Sequence, residues 1–266
     1  MIQSSAEARE HFKRHERVKV TDGHSATIHS ISWSCDGKRL ASGSIDRTIG
    51  IWSFDASRMK SEFTCKGHEE VVDQVCWHAS NSDLLASAGG DKTVRIWDVR
   101  SRKGGAVVST KGQNINVAWS PDGDVVGVGD KDDRITLIDT RTWKARHHES
   151  FKLETNEFVW DPSGQYFFVS SGHGTMFIYR WPEMKLHLAL QAHPSQAICL
   201  CVKIDPQGKK FAIGGGDALI SIWDFKHLIC MRTIDRLDYP VRTVSFSHDG
   251  KLLAAGSEDH CVDISW

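Results

Sequence analysis

The feature that most constrains this chain is an internal repeat. Six times, a short run of alternating apolar and polar residues ends in a large apolar residue: Trp33, Trp77, Trp119, Trp160, Ile204 and Phe246. Successive members of this series are 44, 42, 41, 44 and 42 residues apart. A period of roughly 20–50 residues is typical of proteins built from stacked supersecondary units. Because one such unit cannot bury its own apolar face, we expect the units to pack against each other.

Each unit has the pattern of several short strands. In the second unit the runs 71–77, 84–88 and 93–97 alternate, and a fourth run at 106–110 leads to the next unit. Three Asp-Gly pairs predict tight turns, because glycine tolerates positive φ and aspartate bonds its own backbone. These pairs are 36–37, 122–123 and 249–250. Four strands in a unit of about 42 residues predict an all-β propeller with six recognisable blades.

Charge and cysteine usage exclude several classes of function. The chain has 33 basic and 34 acidic side chains, so it lacks the excess positive charge that drives strong binding to nucleic acid. We therefore expect direct RNA binding to be weak or absent. The seven cysteines form no C-x-x-C pair, so we predict no metal site and no cofactor, and their odd number favours a reducing compartment. Neither a signal peptide nor a membrane span is predicted from the apolar runs.

Histidine, serine, aspartate and tryptophan recur at matching places in the repeats. Gly-His precedes the first and second units, and an aspartate stands six residues before the last tryptophan of the first, second and fifth units. These residues resemble the WD-repeat family, in which they form a buried hydrogen-bonded set. The resemblance implies the sets His24, Ser42, Asp46 and Trp52; His68, Ser87, Asp91 and Trp97; and His193, Asp217 and Trp223, with Ile213 in the serine position. The third and fourth units have lost most of the pattern.

The same three polar residue types also make up a hydrolase triad. A catalytic nucleophile needs exposure and an oxyanion hole, and it would not recur once per repeat. We therefore interpret the recurring sets as structural and expect no catalytic residues. The chain is accordingly predicted not to be an enzyme.

The irregular segments carry a narrower resemblance. In order and spacing they resemble the WD-repeat subunits of the THO complex, a nuclear assembly that couples transcription to messenger RNA export. The segments are 111–123, 129–139, 153–164, 192–199 and 236–260. This resemblance implies a nuclear, non-catalytic scaffold subunit that supports messenger RNA processing, packaging and export. It also implies contacts with the helical scaffold subunits of that complex and only indirect association with messenger ribonucleoprotein.

The family pattern has seven blades, whereas this chain has six units. We therefore expect a seven-bladed propeller that lacks most of its last blade, spanning 16–266 after an N-terminal extension at 1–15. The repeats are expected at about 23–55, 67–100, 111–141, 152–181, 191–225 and 236–266. The segment 16–20 has the place of a fourth strand. Either it completes the sixth unit and closes a six-bladed ring, or it belongs to the seventh blade.

Residues just before each first strand are candidates for contacts with partners, because the loops of a rigid scaffold present side chains for binding. They are His29, Asp73, Asn114, Asn116, Asn156, Glu157, Tyr239 and Arg242. An alternative function is that of a substrate receptor of a cullin-type ubiquitin ligase. The residues Trp97-Asp98-Val99-Arg100 match the W-D-x-R pattern of such receptors, in which Arg100 would reach the ligase. Co-purification of THO subunits or of a cullin-linked adaptor distinguishes the two.

Overall fold

The computed structural model describes residues 5–14, 22–55, 58–150, 154–259 and 261–265. These residues contain one helix, α1 (Ser5–Arg14), followed by 23 strands in six antiparallel sheets. No helix within these ranges is long and apolar enough to cross a membrane.

Each sheet is a meander, so strands that follow one another in sequence also pair in space. The first sheet contains β1 (Ile28–Trp33), β2 (Arg39–Ser44), β3 (Thr48–Asp55) and β4 (Arg58–Lys66). The second contains β5 (Val72–Trp77), β6 (Leu84–Gly89), β7 (Thr93–Asp98) and β8 (Lys103–Ser109). The third contains β9 (Asn114–Trp119), β10 (Val125–Asp130), β11 (Arg134–Asp139) and β12 (Lys144–Ser150). The fourth sheet contains β13 (Thr155–Trp160), β14 (Tyr166–Ser171), β15 (Thr175–Arg180) and β16 (Lys185–Gln191). The fifth contains β17 (Cys199–Ile204), β18 (Lys210–Gly215), β19 (Ile220–Asp224) and β20 (Cys230–Ile234). The sixth contains β21 (Val241–Phe246), β22 (Leu253–Ser257) and β23 (Val262–Ser265). The sixth sheet has three strands among the described residues, and the others have four.

The turns between the first and second strands follow from the Asp-Gly pairs. In the first sheet the carboxylate of Asp36 accepts a hydrogen bond from the hydroxyl of Ser34 at 2.7 Å, and Gly37 has a φ of 67°. Gly123 and Gly250 adopt φ values of 76° and 67° in the third and sixth sheets. The three predicted turns are therefore confirmed, and they fix the register of each hairpin.

Apolar side chains between consecutive sheets form the core. Between the first and second sheets, Ile49 and Ile51 of β3 pack in one buried cluster with Val72, Val75 and Trp77 of β5. Four further clusters join the second sheet to the third, the third to the fourth, the fourth to the fifth and the fifth to the sixth. The first strand of each sheet contacts the first strand of the next. The sheets are thus the blades of a propeller, with their first strands at the centre.

Glycine in the second strand of a blade lets the next blade approach closely. A Cβ atom at Gly43 would lie 2.8 Å from Cγ1 of Val72, and one at Gly214 would lie 2.7 Å from Cγ1 of Val241. Both distances are shorter than van der Waals contact. A side chain at either position would therefore push neighbouring blades apart.

The first and sixth blades each leave one apolar face uncovered. Ile31 has the position that buried Val75 has in the second blade, yet it is 64% exposed. Val262 is 66% exposed, although its counterpart Ile49 in the first blade is buried. Trp33 is 50% exposed, whereas its counterpart Trp77 in the second blade is buried. The reason is that no apolar cluster among the described residues joins the sixth blade to the first.

The number of blades beyond six stays a prediction. The described ranges contain no strand of a seventh sheet, and they do not include residues 16–20. Both roles considered for that segment, closing the sixth blade or belonging to a seventh, therefore stay open.

Candidate functional site

One recurring polar set is best seen in the second blade, where four side chains form what we call a clasp. His68 lies in the loop before β5, and Asp91 lies in the turn between β6 and β7. Nδ1 of His68 is 2.9 Å from Oδ2 of Asp91, and Nε2 of His68 is 2.7 Å from Oγ of Ser87. Nε1 of Trp97 donates to the same Ser87 oxygen at 2.9 Å. The clasp therefore ties the loop before the blade to its second and third strands.

Electrostatics fix the protonation state of this clasp. Burial acts to raise the pKa of Asp91, but hydrogen bonds from Thr93, from the backbone N–H of Glu69 and from His68 outweigh it and hold that pKa below its usual value. Burial also lowers the pKa of His68, against the opposing effect of Asp91. At neutral pH the carboxylate is therefore ionised and the imidazole neutral. Nδ1–H of the imidazole then donates to Asp91, and Nε2 accepts the hydroxyl proton of Ser87.

This Asp–His–Ser order is also that of a hydrolase triad, but the hydroxyl is placed differently. Ser87 is fully buried, and its oxygen already accepts the indole N–H of Trp97. A nucleophilic hydroxyl needs an open approach for the substrate carbonyl and donors for the developing oxyanion. The geometry around Ser87 therefore suits a structural contact between strands.

The first blade repeats the clasp, and the fifth blade builds it from a different residue. In the first blade Nε2 of His24 is 2.8 Å from Oγ of Ser42. In the fifth blade Nε2 of His193 is 2.9 Å from Oγ of Ser221, and Nε1 of Trp223 donates to Ser221 at 2.8 Å. The expectation that Ile213 leaves the fifth clasp without a hydroxyl is therefore wrong. Ser221 pairs with Ile213 across β18 and β19, so its hydroxyl reaches the same space from the neighbouring strand.

The aspartates of the first and fifth clasps occupy the same turn position as Asp91. Oδ2 of Asp46 lies 2.9 Å from Nδ1 of His24, and Nε1 of Trp52 donates to Ser42 at 2.9 Å. Burial acts to raise the pKa of Asp46, but hydrogen bonds led by the one from Thr48 lower it to about 2. Asp217 lies 3.0 Å from Nδ1 of His193.

The third blade replaces the clasp with an ion pair. Oδ2 of Asp130 accepts from Nε of Arg134 at 3.1 Å, and Oδ1 accepts from the backbone N–H of Asp132 at 2.9 Å. The pair Gly112-Gln113 stands where Gly-His precedes the first two blades. Gly112 packs against the Asp130 carboxylate, since a Cβ atom at Gly112 would lie 2.5 Å from Oδ2. The loss of the Gly-His pattern thus goes with a different way of holding the same turn.

The candidate partner-binding residues are exposed, half-buried or buried in the propeller. Tyr239, Arg242 and His29 are exposed, and the last of these lies 3.0 Å from Asp73 of the next blade. Asn114 is fully buried and accepts a hydrogen bond from the hydroxyl of Thr110 at 2.8 Å. The expectation that the eight candidates lie in loops before the first strands holds only for Tyr239, since the other seven lie within first strands.

The remaining candidates line the inner strands. Asn116 and Asn156 are half-buried, and Nδ2 of Asn156 donates to the carbonyl of Cys199 on the next blade at 3.1 Å. Asp73 is half-buried as well, and burial raises its pKa against the effect of His29. Asn156 and Asp73 therefore join neighbouring blades as well as facing solvent.

Glu157 is buried at the centre of the propeller, which corrects its assignment to an exposed loop. Its Oε2 accepts the backbone N–H of Val202 at 2.9 Å, and its Oε1 lies 2.5 Å from Nζ of Lys203. Gln74 of the second blade approaches the same Oε1 at 3.5 Å. Burial acts to lower the pKa of Lys203, but the Glu157 carboxylate outweighs it and raises that pKa. The charged pair therefore joins first strands of separate blades.

A cavity of about 430 Å³ opens on the face that carries the clasp turns, between the fifth and sixth blades. Its walls are mostly apolar, with one cation and one clasp carboxylate among Pro194, Gln196, Ala197, Ile198, Leu200, Gly216, Asp217, Pro240 and Arg242. Arg242 contacts Glu258 through Nε at 3.0 Å. We call this surface, together with exposed Tyr239, the loop face. The sequence did not indicate the cavity, because its walls come from two repeats about 40 residues apart.

Arg100 lies on the opposite end of its blade, in the turn after β7. The Asp98 carboxylate accepts the backbone N–H groups of Arg100 and Ser101 at 3.0 and 3.1 Å, and Val99 between them is buried. The Arg100 residue itself is exposed. In the W-D-x-R pattern the Asp98 side chain, buried Val99 and the backbone N–H of Arg100 thus all help to build the turn.

Comparisons with known proteins extend over the whole propeller. A family model described as the THOC3 beta-propeller domain matches residues 24–266. The chain is 43% identical over 246 residues to "THO complex subunit 3" of Arabidopsis thaliana, a match that covers 91% of this chain and 77% of that protein. It is 32% identical over 245 residues to "WD repeat-containing protein AAC3" of Dictyostelium discoideum, covering 83% of this chain and 51% of that protein. A guanine nucleotide-binding protein subunit beta of Oryza sativa subsp. japonica is 25% identical over 223 residues, with 78% and 59% covered.

Proposed function

This chain belongs to the THOC3 beta-propeller family, and from that premise we propose that it is a non-catalytic scaffold subunit of a nuclear THO-type assembly. In this role it supports messenger RNA processing, packaging and export through contacts with other subunits. Family membership and the buried hydroxyls of the clasps both support the proposal.

The observation that carries the proposal is the family match over residues 24–266. A second observation is a pair of apolar faces that no other blade covers among the described residues, which we call the seam. On the first blade it comprises Ile28, Ile31 and Trp33, and on the sixth blade Val262 and Ile264. Their counterparts elsewhere in the propeller are buried between blades. Exposed apolar faces of this kind mark places where a further structural element or protein packs.

We propose that a seventh blade covers the seam, so that the propeller of 16–266 follows an extension at 1–15. The junction between the first two blades indicates what such a blade must present. There the hydroxyl of Ser30 accepts the N–H of Val75 at 3.2 Å, and the carbonyl of Ser32 accepts Nε1 of Trp77 at 3.0 Å. Thr243 and Ser245 hold the same two positions on the sixth blade, and both are exposed.

Contacts with other subunits are proposed on the loop face and at the adjoining ends of the first strands. Tyr239 and Arg242 are the exposed anchors there, and tyrosine and arginine are the residue types most enriched at the energetic centres of interfaces. His29, Asp73, Asn116 and Asn156 lie on the same end of the inner strands. Direct RNA binding is proposed to be weak, because 33 basic and 34 acidic side chains leave no excess charge to displace counterions.

The test is affinity purification of the tagged chain from nuclear extract, read by mass spectrometry. The expected result is recovery of THO subunits, retained by Arg100→Ala and reduced by Arg242→Glu. Recovery of a cullin-linked adaptor that is lost with Arg100→Ala would instead favour the ubiquitin-ligase alternative. If neither wild type nor variants recover THO subunits, the proposal is wrong.

Direct RNA binding is tested separately with the purified chain. A gel-shift series with a single-stranded RNA oligomer at physiological salt should show weak binding. Nanomolar affinity with a steep dependence on salt concentration would contradict the proposed indirect association with RNA.

A further inference from the structure

A second cavity lies at the outer rim of the propeller, between the third and fourth blades. It has a volume of about 220 Å³. Its lining comes from β10, β11 and β12 on one side and from the turn after β15 on the other: Val125, Leu137, Arg146, His147, Trp181, Pro182, Glu183 and Met184. We call it the rim pocket. It lies away from the seam, the loop face and the clasps, so its function is a separate question.

The rim pocket exists because one apolar side chain is missing. At the junction of the first and second blades, Phe63 of β4 pairs with Ile51 and lies under the guanidinium of Arg102 at 5.3 Å, which fills the space. In the third blade His147 of β12 pairs with Leu137 and has the position of Phe63. This residue is exposed to solvent.

Two other junctions fill this position with apolar groups. Leu188 pairs with Ile178 in the fourth blade and packs with Leu228 of the fifth. Ala106 of the second blade packs in one cluster with Trp143 of the third. In the fifth blade the position holds Arg232, which pairs with Ile222, so a polar residue occupies it in two blades. The cavity beside His147 lies between the third and fourth blades. These are also the two units that have lost the repeat pattern.

The floor of the rim pocket is apolar and held in place. Trp181 packs edge-on against Trp160 at 5.3 Å, and it also contacts Phe167 at 6.3 Å. Val125 and Leu137 are buried beneath the opening. Such a floor favours an apolar side chain over a polar one, and its fixed rings cost little ordering on binding.

The β12 side of the rim pocket's mouth carries one arginine. Arg146 is exposed over 58% of its side chain, and its contact with the Asp139 carboxylate is long, at 3.9 Å. The β-bulge between Leu137 and Ile138 leaves Arg146 without a paired residue on β11, which turns it towards the pocket beside His147. One acid, Glu183, lies on the far side. A ligand with carboxylates next to an apolar group fits this distribution.

The strand next to the rim pocket is also available for pairing. β12 is the outermost strand of its sheet in the strand order β12-β11-β10-β9. An extended peptide can add to such an edge, where backbone hydrogen bonds give affinity and pockets for alternate side chains give specificity. The volume is below the roughly 300–1,000 Å³ of small-molecule sites, which favours a single side chain of a peptide.

We propose that the rim pocket binds one large apolar side chain of an extended, acidic segment of a partner protein, with that segment lying along β12. The apolar side chain packs on Trp181 and Leu137. A carboxylate next to it pairs with Arg146. This proposal does not depend on membership in a THO-type assembly.

The experiment measures fluorescence anisotropy of a labelled eight-residue peptide with one phenylalanine among aspartates and glutamates. The peptide should bind the full chain, and replacing its phenylalanine by alanine should weaken binding about tenfold or more. Arg146→Glu should weaken binding by a similar factor, whereas Arg100→Glu, the same charge change at an exposed arginine of another blade, should leave it unchanged.

A pocket-filling variant keeps the proposal falsifiable if a loss variant misfolds. His147→Phe copies the Phe63 arrangement, so it should keep the fold and abolish binding. Equal binding by wild type and His147→Phe would overturn the proposal, and so would absence of binding at about 1 mM peptide. A single-stranded RNA oligomer that binds instead, and is lost with Arg146→Glu, would assign the surface to RNA and also overturn it.

Discussion

The fifth clasp allows a sharp test of how the blades are held together. Ser221 contacts two buried partners at once: His193 at 2.9 Å and Nε1 of Trp223 at 2.8 Å. We expect Ser221→Ala to leave both partners buried without a hydrogen bond. Each such group costs about 1–3 kcal/mol. The two groups share one space, so their costs are not additive, and we expect a total loss of about 2–4 kcal/mol in the free energy of unfolding.

The measurement is urea unfolding followed by tryptophan fluorescence and circular dichroism. Ser109→Ala is the matched control: the residue is exposed on β8, and its free energy of unfolding should change by no more than about 0.5 kcal/mol. Ser87→Ala, which removes the corresponding hydroxyl of the second blade, should resemble Ser221→Ala. A folded Ser221→Ala protein that loses less than about 0.5 kcal/mol would refute the assignment of Ser221 as the clasp hydroxyl.

Three further outcomes are expected from the clasps and the seam. Asp91→Ala should lower the free energy of unfolding by about 1–3 kcal/mol by stranding buried His68, with binding reduced only in proportion to unfolding; lost binding in a fully stable variant would contradict the structural role. Acid should lower the free energy of unfolding in two stages, measured by unfolding curves at several pH values. The first loss begins below about pH 6.5, because the pKa of His68 is lowered in the folded state and the unfolded state therefore binds more protons. The second runs from about pH 4 towards 2, because the pKa of Asp46 is lowered to about 2 in the folded state. Stability that rises on acidification through either window would refute this sign. Replacing Ile31 and Val262 of the seam by serine should reduce self-association in sizing chromatography, and unchanged elution of an associating wild-type chain would argue against the seam as its cause.

The exposure of the seam changes how the repeat pattern is interpreted. Trp33 and Trp77 are the same residue at the same place in adjacent units, yet one is half exposed and the other is buried. The sequence gives no sign of this difference, because burial of an inner-strand residue depends on whether another blade lies beside it. The repeat therefore predicts which face a residue occupies, while its environment is a property of the assembled ring.

The same distinction applies to the candidate partner-binding residues. Asn114 and Glu157 lie in first strands and Tyr239 and Arg242 lie before or in one, but the first two are buried and the last two are exposed. Glu157 bonds the backbone of Val202, which is 45 residues away in sequence. A contact of that range belongs to the next blade and has no local signal.

By itself the sequence determined the all-β repeat, the family resemblance and the tight turns, because each depends on residues within one unit. The His68–Asp91 pair spans only 23 residues, and Gly37 and Gly123 act on the turns they occupy. Only the tertiary structure decided what happens between strands and between blades. Cross-strand pairing brings Ser221 to the place left by Ile213. Contact between two whole repeats leaves the rim pocket open at His147, because side chains there must fill a space that neither repeat encloses alone.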